Sequence, residues 1–254
     1  MKPKKLKDKI TKQLIIILSV VILVCSILLI RDLKEEKNRK SGFEELAQIS
    51  NVENEKSSDT NSEEVMPDLQ KLFEKNNDTV GWIKIEGTSI NYPVMQKEND
   101  YYLHRDFEKK YSKYGLPFAA EYCDINLDDN TIIYGHHMKN GMMFADLEKY
   151  KNKEFYEENK IIELFVLKDG VTFKRNYEVI SVFKILATDE EFKYYEYHDM
   201  TEVAEYEDYI NKVKEKSLYK IDLTAEYGEK LLTLSTCEYS QEDGRLVVVA
   251  KKIK

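Results

Sequence analysis

Thr233-Leu234-Ser235-Thr236-Cys237 and Arg245-Leu246-Val247-Val248-Val249-Ala250 are two apolar runs joined by the polar stretch Glu238 to Gly244. Each run has the length and β-branched content of a buried strand. If the two are antiparallel neighbours, the end of the first lies beside the start of the second. Cys237 and Arg245 then face one pocket. A thiol beside a fixed guanidinium suggests nucleophilic chemistry, because a nearby cation favours thiolate over thiol. The pair by itself is equally satisfied by a buried, inert cysteine and a surface arginine on an ordinary hairpin.

Upstream, further strands are expected. Trp82-Ile83-Lys84-Ile85 and Ile90-Asn91-Tyr92-Pro93-Val94 are parted by the turn signal Glu86-Gly87-Thr88. Thr131 to Tyr134, Ile161 to Leu167 and Tyr177 to Leu186 follow. Helical spacing appears from Asp68 (Leu69, Leu72, Phe73), over Met142 to Tyr150 (Phe144, Leu147, Tyr150) and over Val203 to Lys216 (Val203, Tyr206, Ile210, Val213). Asp199 with Glu202 offers a capping box for the last of these. Many short strands and few helices indicate a mainly β protein with a barrel or sandwich core.

The N-terminus is of another kind. Leu14 to Ile30 is a 17-residue apolar run broken only by Ser19, Cys25 and Ser26. That is the short end of what spans a bilayer core, roughly 17–25 residues. No small-x-small cleavage pattern follows it, so an uncleaved anchor is expected. Six lysines precede the run, which favours a cytoplasmic N-terminus, although Arg31, Lys34, Lys37, Arg39 and Lys40 follow it. The organisation read from this is a basic tail (1–13), a transmembrane anchor (14–30), a linker (31–66) and one domain (67–254). The stretch 51–62 has almost no apolar content and reads as a flexible stalk. Phe43, Leu46, Ala47 and Ile49 suggest a short helix before it.

The 254 residues carry a net charge of −8 with mixed signs, which argues against a nucleic-acid partner. The three cysteines, Cys25, Cys123 and Cys237, imply no disulfide framework. No Cys-x-x-Cys pair is present, so neither zinc nor another metal is expected. Asp124, Asn126 and Asp128 imitate the start of a calcium loop. Asp129 stands where that loop needs glycine, and Gly135 where it needs glutamate, so calcium is not expected either. Cys123 reads as structural, and His104 and His198 as solvated.

One more segment carries chemistry. Asn130-Thr131-Ile132-Ile133-Tyr134-Gly135-His136-His137-Met138 ends a strand with a glycine and two histidines. Histidine is the usual proton-transfer group near neutral pH. Adjacent loop histidines do not share a face, so only one is expected to enter a pocket.

Four pieces in this order resemble the class B sortases, the cell-surface cysteine transpeptidases of Gram-positive bacteria. They are Asp78-Thr79-Val80-Gly81-Trp82-Ile83, Asn91-Tyr92-Pro93-Val94, Thr131 to His137, and Thr233 to Cys237 with Arg245 to Lys251. The resemblance runs from about Asp68 to the C-terminus. It implies a sortase β-barrel with added N-terminal helices and a long helix before the last strands. By motif position His136 matches the catalytic histidine, Cys237 the nucleophile and Arg245 the catalytic arginine, with His137 only a neighbour. Leu103, Ser235 and Glu238 match residues near the substrate. The stretch 187–192 departs from the family pattern, which leaves peptide specificity open. The activity implied is cleavage of a C-terminal sorting signal of secreted proteins after Thr, through a thioacyl-enzyme, and transfer to a peptidoglycan precursor amine. It implies no cofactor, and a single-pass membrane protein with its catalytic domain outside the cell. Alternatives are a pilin-polymerising sortase, a membrane-tethered cysteine peptidase, and a catalytically silent binding module.

Overall fold

A computed structural model describes residues 3–50, 68–98 and 100–253. The chain divides into two compact units, residues 1–46 and 47–254. Most of the first is a single helix, α1 (Pro3–Ile49), which includes the short helix expected at 43–49. Its apolar stretch is long enough to cross a membrane, and the side chains from Leu14 to Ile30 are exposed. The Ser19 and Ser26 hydroxyls donate to the carbonyls of Ile15 and Ile22, both at 2.8 Å, so neither polar group is left bare in that stretch. The part of the expected linker from 51 to 66 lies outside the described residues.

The second unit is a closed eight-stranded barrel. Its strands are β1 (Thr79–Ile85), β2 (Asn91–Met95), β3 (Phe118–Ala119), β4 (Asn130–Tyr134), β5 (Ile161–Lys168), β6 (Val171–Leu186), β7 (Leu231–Glu238) and β8 (Gly244–Lys252). Around the barrel they run β1-β2-β3-β4-β7-β8-β6-β5, and β5 pairs back onto β1. The strands β4 and β7 are parallel neighbours although nearly a hundred residues part them in sequence. The strand β6 begins six residues before the expected Tyr177. Its first half pairs with β5 and its second half with β8, with an irregularity between Val179 and Ser181. The early residues are partly exposed and carry Lys174, Arg175 and Asn176, so their apolar signal is weak. The two-residue β3 carries no periodic signal at all.

Helices close the barrel and cover its side. The helix α2 (Leu69–Lys75) buries Leu69 and Leu72. The helix expected over Met142 to Tyr150 is a 3-10 helix, Phe144–Lys151, and α3 (Lys153–Glu158) follows, its N-terminal amides capped by the Asn152 side chain. The helix α4 (Val203–Glu215) buries Tyr206, Tyr209, Ile210 and Val213 against Ile180, Phe183, Val247 and Val249 of the barrel. Val203 stays exposed, and Tyr209 takes the place expected of it. The capping box does not form: the N-cap is Glu202, so Asp199 lies three residues ahead of the position it would have to occupy.

Candidate active site

The two runs at the C-terminus are the antiparallel neighbours β7 and β8, and their register sets Cys237 directly opposite Arg245. Directly paired residues of antiparallel strands project from the same face of the sheet. The connecting loop is only Tyr239 to Asp243, because Glu238 and Gly244 are already paired. Cys237 is half-buried and carries a free thiol. The Arg245 head is half-buried, with Nη1 donating to the Gly244 carbonyl at 3.0 Å.

The neighbouring β4 brings the histidine. Its last residue, Tyr134, is in register with Ser235. The Gly135 amide then donates to the Ser235 carbonyl at 3.1 Å, and the Thr236 hydroxyl donates to the Gly135 carbonyl at 2.7 Å. The chain therefore stays alongside β7 for two further residues. By strand alternation His136 follows Tyr134 on the face where Cys237 follows Ser235. Gly135 is required here for closeness rather than for a special dihedral: a Cβ on it would lie 2.6 Å from the Phe144 ring. The Phe144 amide donates to the His136 carbonyl at 2.8 Å, and His137 bridges to Met143. Met143 holds φ 56°, ψ −129°, a backbone region that side chains rarely adopt, so local strain sits beside the histidine segment.

His136 Nε2 lies 2.8 Å from the Leu103 carbonyl oxygen. A carbonyl only accepts, so Nε2 carries the hydrogen and Nδ1 is left to exchange a proton. Burial holds the His136 imidazole below its ordinary value of 6.5; the Leu103 bond opposes this, and the His104 ring, 5.9 Å away, adds to it. His137 takes a different post. Its Nδ1 donates to the Cys237 carbonyl at 3.0 Å, and the Tyr239 hydroxyl donates to the His137 carbonyl at 2.9 Å.

Leu103 is half-buried and contributes its carbonyl to His136. Ser235 is buried, its hydroxyl 2.7 Å from that of Tyr194. Glu238 is also buried, at 3% exposure. Burial pushes its carboxyl up, but the Lys151 ammonium and the Ser240 hydroxyl and amide outweigh this and bring it to about 2. Its ion pair with Lys151 ties the nucleophile's strand to the 3-10 helix. A cavity of about 460 Å³ opens beside Arg245, lined also by Phe118, Tyr122, Tyr134, Ala187, Tyr194 and Tyr195. Burial raises the Tyr194 phenol, with Ser235 and Arg245 pulling it back. Sequence reasoning did not single out these tyrosines or Lys151, and it read His137 only as the neighbour of His136. The signal available was the abundance of tyrosine, which does not say where the rings gather.

Of the remaining candidates, His104 lies beside His136, and the others lie on the β3–β4 loop and in the segment after β6. Cys123 is 4% exposed, and burial pushes its thiol up to about 12, so it is a poor nucleophile. Asp124 Oδ1 accepts from the amides of Asn126 and Leu127, closing a turn where the calcium-like pattern stood. His104 is exposed. His198 is not solvated as expected: it is half-buried, and its Nδ1 meets Asp128 Oδ2 at 3.0 Å. A thiol, an imidazole and a guanidinium on three adjacent strands form a set suited to acyl transfer.

Comparison with known proteins agrees with that chemistry. The Sortase domain family matches residues 83–253. The chain is 36% identical to Sortase B of Staphylococcus aureus over 243 residues, covering 94% of this chain and 95% of that one. It is 40% identical to Sortase B of Listeria monocytogenes over 195 residues, or 75% of this chain and 76% of that one. Among solved structures, a Staphylococcus aureus sortase B–substrate complex superposes with a TM-score of 0.73 at 36% identity, covering 87% of this chain and 98% of that one.

Proposed function

This chain belongs to the sortases, in their class B branch, and is a cysteine transpeptidase of that type; from that premise we propose that Cys237, His136 and Arg245 carry the reaction. The observation that supports this assignment best is the direct pairing of Cys237 with Arg245, one strand away from the His136 segment.

The Cys237 thiolate attacks the carbonyl carbon of a threonine in a C-terminal sorting signal, forming a C–S bond. Arg245 donates hydrogen bonds to the oxyanion that results, a task suited to a planar, permanently charged fork. The His136 imidazolium gives its Nδ1 proton to the leaving amine as the C–N bond breaks, because an amide nitrogen leaves poorly without one. The thioacyl-enzyme is then attacked by an amine of a peptidoglycan precursor. His136 Nδ1 takes the incoming proton, and Cys237 leaves as thiolate. His137 holds the backbone of the nucleophile through the Cys237 carbonyl. Leu103, Ser235 and Glu238 border the substrate: Leu103 along the histidine side, Ser235 through the tyrosine it orients, and Glu238 from the position after the nucleophile.

The chain's apolar N-terminal helix is consistent with a membrane anchor. We place residues 1–13 in the cytoplasm, 14–30 in the bilayer and 67–254 outside, where secreted proteins and wall precursors meet the thiol. Protease treatment of intact cells is expected to remove the domain and leave the tail.

The test is incubation of the protein with a library of sorting-signal peptides and candidate wall amines, with cut and transfer products identified by mass spectrometry. Cys237→Ala is expected to abolish both. Arg245→Ala is expected to lower kcat/KM by about 100- to 1,000-fold, the usual cost of an oxyanion donor. A Cys237→Ala protein that still cleaved the peptides would end the assignment.

A further inference from the structure

A second cluster of chemically active side chains lies away from the catalytic strands. Cys123 and Asp128 sit on the loop between β3 and β4, and His198 on the segment between β6 and α4. One ligand atom from each, sulfur, oxygen and nitrogen, falls within 4.8 Å of the other two. We propose that Cys123, Asp128 and His198 bind a soft divalent transition-metal cation, with zinc(II) the best match.

The donor set makes the choice. A thiolate and an imidazole favour zinc and its neighbours over calcium or magnesium, which take oxygen ligands. One thiolate and one carboxylate would balance the charge of the ion. Tetrahedral zinc, with bonds of about 2.0–2.3 Å, sets its ligand atoms roughly 3.4–3.6 Å apart. His198 Nδ1 and Asp128 Oδ2 are at 3.0 Å, so this pair need only open slightly. Asp128 Oδ2 is further held by the Asp124 amide at 3.0 Å, which fixes the carboxylate in place. Three protein ligands leave a fourth position for water, and the His198 side, with 29% of its side chain exposed, gives access to it. A second catalytic triad is the other way to read a cysteine, a histidine and an aspartate. With Cys123 at 4% exposure, no substrate carbonyl reaches that sulfur.

The site adjoins the substrate cavity. The Tyr122 ring packs on His198 with centroids 4.9 Å apart, and Tyr134 and Tyr195 pack against the small buried cluster that holds Cys123. All three tyrosines line the cavity beside Arg245. A bound ion would pin the β3–β4 loop to the 187–202 segment and so fix one wall of that cavity.

The test is titration of the reduced, metal-free full chain in detergent with cobalt(II), followed by competition with zinc(II). One equivalent of cobalt is expected to give a thiolate-to-metal charge-transfer band that zinc removes. Cys237→Ala and Cys25→Ala are expected to keep the band, and Cys123→Ser to lose it. His198→Gln is expected to weaken binding by at least about tenfold. It also replaces a half-exposed residue, so it decides the matter if Cys123→Ser does not fold. Absence of the band in the unaltered protein, unchanged affinity in His198→Gln, or a band that follows Cys237 or Cys25 would overturn the proposal.

Discussion

His136 donates one nitrogen to a backbone carbonyl, and this determines what the other can do. With Nε2 spent on Leu103, proton exchange in the proposed reaction falls to Nδ1. Burial also keeps the imidazole below 6.5, so near neutral pH only a minority of molecules hold the acid form that the leaving amine needs. The neighbouring His104 ring, 5.9 Å away, lowers it further. His104→Gln is therefore expected to raise the His136 value and to move the alkaline limb of the kcat/KM profile toward higher pH. NMR titration of the His136 ring checks the first effect and peptide kinetics the second; an unmoved ring titration would show that His104 does not reach it. At this scale the sequence was a good guide to side chains and a poor one to backbone. The run that ends in Cys237, the one that leads into His136 and the one that begins at Arg245 mark strand ends, where side chains meet solvent and substrate. Nothing in the identity of Leu103 announces that its carbonyl holds an imidazole. Likewise, no spacing rule joins Cys123 and Asp128 to His198, which lies 70 residues further on. The absence of a Cys-x-x-Cys pair excluded a local zinc site but not one assembled from separate loops.

Elements hold these residues in place through close contact. The end of β4 approaches the 3-10 helix so nearly that only glycine fits at 135, with the Phe144 ring 2.6 Å from where a Cβ would stand. Gly135→Ala is expected to push the strand end outward, costing about 1–3 kcal/mol of stability as overpacking does, and to lower transpeptidation by displacing His136. Adding Phe144→Ala should return part of the lost turnover, because it removes the Cγ, Cδ1 and Cδ2 atoms that obstruct, although the cavity it leaves lowers stability further. Urea unfolding and peptide turnover of the two variants measure this. A double variant with turnover no better than that of Gly135→Ala would locate the damage elsewhere. The same region shows how spacing reports the helix type. Phe144, Leu147 and Tyr150 recur at every third residue, and all three are buried. A strict period of three is that of a 3-10 helix, whose side chains at i and i+3 eclipse, whereas an α-helix alternates three and four. The long β6 was cut short for a related reason. A strand that leaves one neighbour for another around a barrel buries its two halves differently, and only the second half is buried almost throughout and so carries a strong apolar signal.

Across the whole molecule the eighteen tyrosines shape the response to pH. Tyr150, Tyr177, Tyr194, Tyr206 and Tyr209 are buried, and burial lifts each phenol above its ordinary 10. An unfolded chain exposes these groups and ionises them near 10. Above that pH the unfolded state holds fewer protons than the folded one, so folding stability falls as pH rises from 10 through the raised folded values. Glu238 acts in the opposite sense. Its folded value near 2 lies below the ordinary 4.5, so its contribution is complete above 4.5 and is lost as pH falls toward 2. The fold is thus expected to lose stability at both ends, through different groups. Thermal midpoints taken across pH, with tyrosinate absorbance recorded on the same samples, separate the two. Glu238→Gln is expected to flatten the acid side alone. On the alkaline side most tyrosinate absorbance should appear together with the loss of tertiary structure. If the phenols instead titrated near 10 while the barrel stayed intact, they would be in contact with water, and the packing of α4 against the barrel would be looser than its buried rings require.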